Sequence, residues 1–166
     1  MSCIHVLDEN TINQIAAGEV VERPASVIKE LVENAIDAGA KRIEVEIMAG
    51  GTSFMRVTDD GCGMDEDDAA LAVERHATSK IRKADDLLGV ATLGFRGEAL
   101  STIAAVSRFS MQTRREGREL GTSIRLVGGE GKAQEEIGCG VGTTVKVEDL
   151  FFNTPARKKF MKTTHT

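Results

Sequence analysis

With 166 residues, 41% hydrophobic and 28% charged, the chain can bury one core and has the balance of an ordinary globular domain. A net charge of −5 argues against a nonspecific nucleic-acid coat, and six phenylalanines without tryptophan or tyrosine argue against base stacking as the main activity. Cys3, Cys62 and Cys139 are too few and too scattered for a disulfide framework or a CxxC metal site, which fits a reducing compartment. Neither a secretory signal nor a membrane-length apolar run is visible, so a cytoplasmic location without membrane contact is expected.

The first element is a helix in "RPASVIKELVENAIDAGA", with Pro24 in its first turn and Gly39 just past its end. On its wheel Val27, Leu31, Ala35 and Ala38 share the buried side with Ile28 and Val32. In "KRIEVEIMAGG", Ile43, Val45 and Ile47 alternate with charge, the pattern of a half-buried strand. "FMRVTDD" follows as a second strand through a Gly50–Gly51 turn. "MDEDDAALAVERHA" is a helix whose first turn is acidic, as the helix dipole favours. Around residues 80 to 97 the entropy of a polar, glycine-containing loop predicts disorder without a ligand, and a helix "GEALSTIAAVS" follows. Three strands, "RFSMQTRR", "TSIRLVG" and "TTVKVEDL", come next, and "NTPARKKFMK" reads as a helix capped by Thr154 with Pro155 in its first position. Successive strands with short turns point to an α+β fold: a two-layer sandwich with helices on one face of a mixed, mostly antiparallel sheet.

Four stretches carry chemistry. Glu30, Asn34 and Asp37 lie on one stripe of the first helix, away from its apolar side. Alone, such a stripe is more often a solvated face. Its sharper meaning is a metal and water site, with Asn34 as a neutral oxygen ligand for Mg²⁺ carrying phosphates and Glu30 as the base for an attacking water. "DDGCGM" at 59–64 follows a strand and is either a plain turn or a reading head. In the second case a carboxylate accepts an exocyclic amine such as that of adenine, and Gly61 and Gly63 let the backbone pass close to a planar ring. "LGFRGEAL" at 93–100 puts glycines before a helix N-terminus, either as a simple connection or as a lid whose N–H groups meet phosphate. "GCGVGTTV" at 138–145 is a tight turn or brings the Thr143 hydroxyl to a nucleotide. Neither GxxxxGK[ST] nor GxGxxG occurs, so any ATP is bound without a P-loop.

An E-x-x-x-N helix, a D-x-G-x-G turn, a glycine-rich lid and a late G-T strand, in that order, resemble the gyrase, heat-shock-chaperone, histidine-kinase and MutL class of ATPases. Within it, "IAAGEVVERPASVIKELVENAIDAGA", "RHATSKI", "GFRGEAL" and "DLFFNTPARKKF" resemble the N-terminal region of the MutL family of DNA mismatch-repair proteins, from about Val6 to Lys162. The resemblance implies the Bergerat-type ATPase fold over residues 1–166, and ATP and Mg²⁺ as cofactors. It implies Glu30 as catalytic base and Asn34 as metal ligand. It places Ala38, Asp59, Gly63, Met64, Thr143 and the Thr78–Ser79–Lys80 stretch around the nucleotide. Gly94, Phe95, Arg96, Gly97, Glu98, Ala99 and Leu100 are then the phosphate-contacting lid.

It further implies a slow ATP-driven switch that couples mismatch recognition to strand processing. The partners implied are MutS, a downstream endonuclease or helicase, DNA through the full-length protein, and a second copy in a nucleotide-dependent homodimer. The acting protein would be associated with the bacterial nucleoid. A second domain and a C-terminal dimerisation domain of the family have no counterpart in the 166 residues. Nor has the second domain's γ-phosphate lysine, so the chain alone is expected to bind nucleotide weakly and turn it over poorly. A gyrase-like subunit is the alternative within enzymes, disfavoured by "NTPAR"; a nonenzymatic DNA-binding scaffold is the alternative outside them, disfavoured by the acidic charge. The basic group Arg157, Lys158, Lys159 and Lys162 is read as a solvated face rather than a DNA contact, and His76 as structural.

Overall fold

The structure, a computed structural model, describes residues 23–74 and 94–154, with residues 94–98 described by their backbone alone. Helix α1 (Pro24–Asp37) starts on a proline that needs no amide partner there, and Gly39, at φ +76°, turns the chain away just past the helix end. Strands β1 (Ile43–Met48) and β2 (Phe54–Asp59) form an antiparallel hairpin through a 3-10 turn at Ala49–Gly51. Helix α2 covers Glu66–Ala72, with Glu66, Asp67 and Asp68 in its first turn, and ends well before His76. Helix α3 (Gly94–Ala105) leads into β3 (Arg108–Arg114), β4 (Gly121–Val127), β5 (Glu130–Ile137) and β6 (Gly142–Glu148).

The six strands make one sheet in the order β1-β2-β6-β3-β4-β5. All five pairings are antiparallel, so among the described residues the expected mixed sheet is antiparallel throughout. β2 and β3 run the same way but are separated by β6, so no parallel ladder forms.

The registers align inward residues into rows. Met55, Val147, Phe109 and Leu126 make one row, and Val57, Val145, Met111 and Ile124 the next. Val27 and Leu31 of α1, Ala69 of α2, and Leu100, Ile103 and Ala104 of α3 belong to the same core, which Leu150 and Phe151 close at one end. The helices therefore cover one face of the sheet, as two-layer packing requires. No helix among the described residues is long and apolar enough to cross a membrane.

Two expectations need correction. Val45 and Ile47 pair with the buried Val57 and Met55 and so share the helix-side face, yet they are 48% and 54% exposed. β1 is the sheet edge, and of its residues only Ile43 packs against the core. Alternation reports which face a residue takes, not whether a helix reaches far enough to cover it. The second is β5, absent from the sequence reading. Seven of its eight residues are exposed, so it carries no apolar alternation. Its signal was the Gly128–Gly129 pair between Val127 and Glu130, both at positive φ, which makes a two-residue hairpin turn.

Of the segment expected to be disordered without a ligand, Gly94–Gly97 is helical backbone, and the rest lies outside the described residues. The capped helix from Pro155 lies outside them too. Thr154 itself donates its amide to the Phe151 carbonyl at 3.0 Å, within a turn.

Ile124 is fully buried at the β4 end of the second row. Ile124→Ala should lower the unfolding free energy by about 2–5 kcal/mol, read from the urea midpoint at unchanged slope. A loss of under about 0.5 kcal/mol, the scale of a surface change, would mean that this row is not the core.

Candidate functional site

One row further along the strands, the inward face turns polar: Asp59, Thr143, Thr113 and Thr122 are cross-strand neighbours. Asp59 Oδ1 accepts the Gly61 amide at 2.8 Å, and the Thr143 amide also donates to the carboxylate. Burial pushes the Asp59 carboxyl above its ordinary value; the two amides pull it back, and neighbouring Asp60 adds a further upward push. Asp60 points the other way. The amides of Arg42 (2.9 Å) and Lys41 (2.8 Å) donate to its Oδ1 and hold its pKa below the usual range, which ties the start of β1 to the end of β2.

Thr113 is fully buried and organises the next layer. Its hydroxyl donates to the Gly142 carbonyl at 3.1 Å and accepts the Met64 amide at 2.9 Å. With that proton committed, the 2.9 Å contact to Thr143 is made by the Thr143 hydroxyl donating, which leaves the Thr143 lone pairs for a ligand.

The loop after β2 is drawn against α1 as well, because the Cys62 amide donates to the Ala38 carbonyl at 2.9 Å. A Cβ at Gly61 would come within 2.7 Å of the Ala38 Cβ, and one at Gly63 (φ +67°) would overlap the Arg114 carbonyl. Protein packed on them is therefore enough to require both glycines.

These elements enclose a cavity of about 560 Å³, the size of a small-molecule site. Of the residues nominated from sequence, Asn34 and Ala38 of α1, Asp59, Gly63 and Met64 after β2, Leu100 of α3 and Thr143 of β6 line it. Val57, Val145 and Leu31 supply apolar wall. Glu30, one turn before Asn34, is half-buried and lies outside this wall. Ala99 is buried. Gly94, Phe95, Arg96, Gly97 and Glu98 form the first turn of α3 as backbone, so the glycines begin the helix rather than precede it. Thr78, Ser79 and Lys80 lie outside the described residues, as do His76 and the Arg157–Lys162 group.

The sequence reading missed Thr113, Arg115 and Cys62. Thr113 had a signal, since it continues the inward parity of Phe109 and Met111 with a hydroxyl in an apolar slot. Arg115 and Cys62, on loops, had none.

Asn34 bears on a metal. Its Nδ2 donor is buried without a hydrogen-bond partner, and its Oδ1 is the atom that a cation would take. The described residues hold no group of three or more His, Cys, Asp or Glu fit for a metal. That donor set fits an ion held largely by a ligand's phosphates and water, as Mg²⁺ is, and not an all-protein cage.

Thr113→Val removes the acceptor of the Met64 amide and should cost about 1–3 kcal/mol of stability in a denaturant titration. An unchanged midpoint would show that the Met64 loop does not depend on it. Asp59 makes a second measurable contribution. Its folded pKa is raised, so the stability it adds is complete below the unfolded value and is lost as the pH rises through the raised one. Asp59→Asn should therefore flatten that part of the stability–pH curve.

Residues 22–134 match the family described as histidine kinase-, DNA gyrase B- and HSP90-like ATPase. The chain is 61% identical over 162 residues to the DNA mismatch repair protein MutL of Caldanaerobacter subterraneus subsp. tengcongensis, covering 98% of this chain and 28% of that protein. It is 60% identical over all 166 residues to that of Acidobacterium capsulatum, covering 25% of it. The chain thus spans about a quarter of the length of these relatives. Among solved structures, the Aquifex aeolicus MutL ATPase domain complexed with ADP is 35% identical at a TM-score of 0.65, over 88% of this chain and 50% of that one. The N-terminal domain of a DNA repair protein is 32% identical at a TM-score of 0.76, over 94% and 45%. The chain belongs to the histidine kinase-, DNA gyrase B- and HSP90-like ATPase family, and within it is similar to the N-terminal part of MutL.

Proposed function

We propose that residues 1–166 form one ATP-binding domain of a MutL-type mismatch-repair protein, which binds an adenine nucleotide in this cavity and hydrolyses ATP slowly as a switch. The observation that supports it is that Asn34, Asp59 with Gly63, and Thr143, from three separate elements of the family pattern, line one cavity. The ADP bound to the Aquifex aeolicus relative supports adenine as the base.

The division of labour follows from donor and acceptor chemistry. The Asp59 carboxylate only accepts, so it suits the exocyclic amine of adenine and repels the carbonyl that guanine presents there. Thr143 adds an acceptor beside it. Phosphates lie toward Asn34 and the first-turn amides of α3, where a helix N-terminus attracts anions. Thr78, Ser79 and Lys80 border them, and Gly94–Leu100 close as the lid. Asn34 Oδ1 would hold Mg²⁺, which would neutralise charge on the phosphate oxygens. Glu30 orients a water and accepts its proton as the water oxygen bonds the γ-phosphorus and the bond to ADP breaks.

Such a switch yields a conformational state rather than a chemical product. With ATP bound, lid and N-terminal segment order and two copies associate; hydrolysis releases them. In the whole protein this links mismatch recognition by MutS to a downstream endonuclease or helicase on DNA, in the cytoplasm at the nucleoid.

Glu30→Ala should lower turnover by about 100-fold or more while moving the ADP dissociation constant less than about 2-fold. Loss of binding instead would assign Glu30 to the fold. Calorimetry across pH tests Asp59. A donating amine favours the charged carboxylate, so ADP affinity should be full above the raised pKa and fall as the pH drops through it, at a higher pH than an ordinary aspartate would show. Asp59→Asn should weaken ADP by about 10- to 100-fold and remove that dependence. Equal affinity for ADP and GDP in the unmodified chain would sink the assignment of Asp59 to the base.

A further inference from the structure

We propose that Arg115 lays the flat face of its guanidinium on the purine at the Asp59–Thr143 end of the cavity, and that Asp65 is the positioning residue that holds it there. The proposal rests on the nucleotide reading above and adds a contact to it.

Among the described residues Arg115 is the sole cationic residue that lines the cavity, and no aromatic residue among them lines it. Among the described residues a purine in this cavity therefore has one planar cation to stack on. Its location is fixed by backbone packing. Gly63 sits against the Arg114 carbonyl, and the Met64 amide is tied to Thr113, whose hydroxyl meets Thr143. Residue 115 thus follows directly from the strand end that supports the base-facing loop.

Asp65 supplies the hold. Its Oδ2 pairs with Arg115 Nη1 at 3.1 Å and its Oδ1 with Arg118 Nε at 3.2 Å. Arg114 Nη1 donates to the Arg118 carbonyl at 2.7 Å, so the β3–β4 turn is braced at both ends. Asp65 stands at the N-cap of α2, where an aspartate ordinarily bonds a helix amide, yet it makes no side-chain cap bond. Its carboxylate is spent on the two arginines.

A guanidinium hydrogen-bonds in its plane and stacks through its face, so pairing with Asp65 leaves the stacking surface open. An arginine already ordered loses less freedom when a ligand arrives. The same carboxylate offsets the positive charge, which weakens any pull on a phosphate and favours the base as the target.

Displacement of a fluorescent N-methylanthraniloyl-ADP by adenosine and by ADP tests this on the chain as it stands. Arg115→Ala should raise the dissociation constants of adenosine and ADP by the same factor, about 3- to 10-fold. A loss confined to ADP makes Arg115 a phosphate ligand, and no change in either makes it a solvated cation; both outcomes overturn the proposal. Asp65→Asn should weaken both ligands less than Arg115→Ala does, and add nothing in the double variant. A further loss there means Asp65 acts on the loop and not through Arg115. Should Arg115→Ala lower the melting temperature by more than about 5 °C, Arg115→Met, of similar reach without charge or plane, carries the same comparison. Failure of the unmodified chain to release the fluorophore to either ligand defeats the nucleotide reading itself, which the variants alone do not.

Discussion

Along the helix-covered face of the sheet, two apolar rows are followed by Asp59, Thr143, Thr113 and Thr122. Four adjacent strands change character at the same level because their registers align hydroxyl and carboxylate side chains. Placing a carboxylate there is costly, and burial duly pushes Asp59 upward. The cost is contained by the amides of Gly61 and Thr143, which point at the carboxylate from the two chain segments that follow β2 and begin β6. No cation lies within that set of interactions. A carboxylate satisfied only by amides keeps acceptor capacity toward the cavity, whereas one saturated by arginine would not.

Everything that surrounds this group serves to bring separate chain segments to it. α1 contributes through the Ala38 carbonyl and the Asn34 amide, the β2–α2 loop through Gly61 and Gly63, and β3 through Thr113. The hydrogen bonds that join them are mostly from backbone amides, which are short and direction-specific. Geometry is therefore held by main chain, while the side chains that face the cavity remain available. A P-loop gathers its phosphate-binding amides in one contiguous segment; here the cavity lining is spread over α1, the β2–α2 loop, α3 and β6, and the sheet register keeps it in place.

Legibility in the sequence followed the range of the interaction that decided each feature. α1 was readable because its proline start, its Gly39 stop and the spacing of Val27, Leu31 and Ala35 are local. β2, β3, β4 and β6 were readable from alternation. β5 was not, because an exposed edge strand has no apolar face to alternate, and the Gly128–Gly129 turn was the only trace it left. The cover of Val45 and Ile47 depends on how far a helix extends across an edge, which is a tertiary fact. In the site, Asn34, Asp59 and Thr143 were accessible through order and residue type. The true reason for Gly63, a carbonyl of a strand fifty residues away, was not, and neither was the Asp65 pairing with Arg115 and Arg118.

That difference bears on how the domain works. The features legible in sequence are those proposed to touch a ligand, and they tolerate few residue types because donor and acceptor roles are fixed. The features that were illegible support them from behind, and any residue that fills the space or makes the bond would serve. Thr113 belongs to the second kind although it lies one hydroxyl away from the first, through Thr143. Asn34 shows the opposite case: its buried, unpartnered Nδ2 is a cost that the protein does not offset internally. A fold that satisfies the Asp59 carboxylate with its own amides while leaving the Asn34 amide unmatched is asymmetric along the cavity. It is preorganised around Asp59 and less fully satisfied at Asn34. A switch needs that asymmetry, because a ligand can bias two states only through interactions that differ between them.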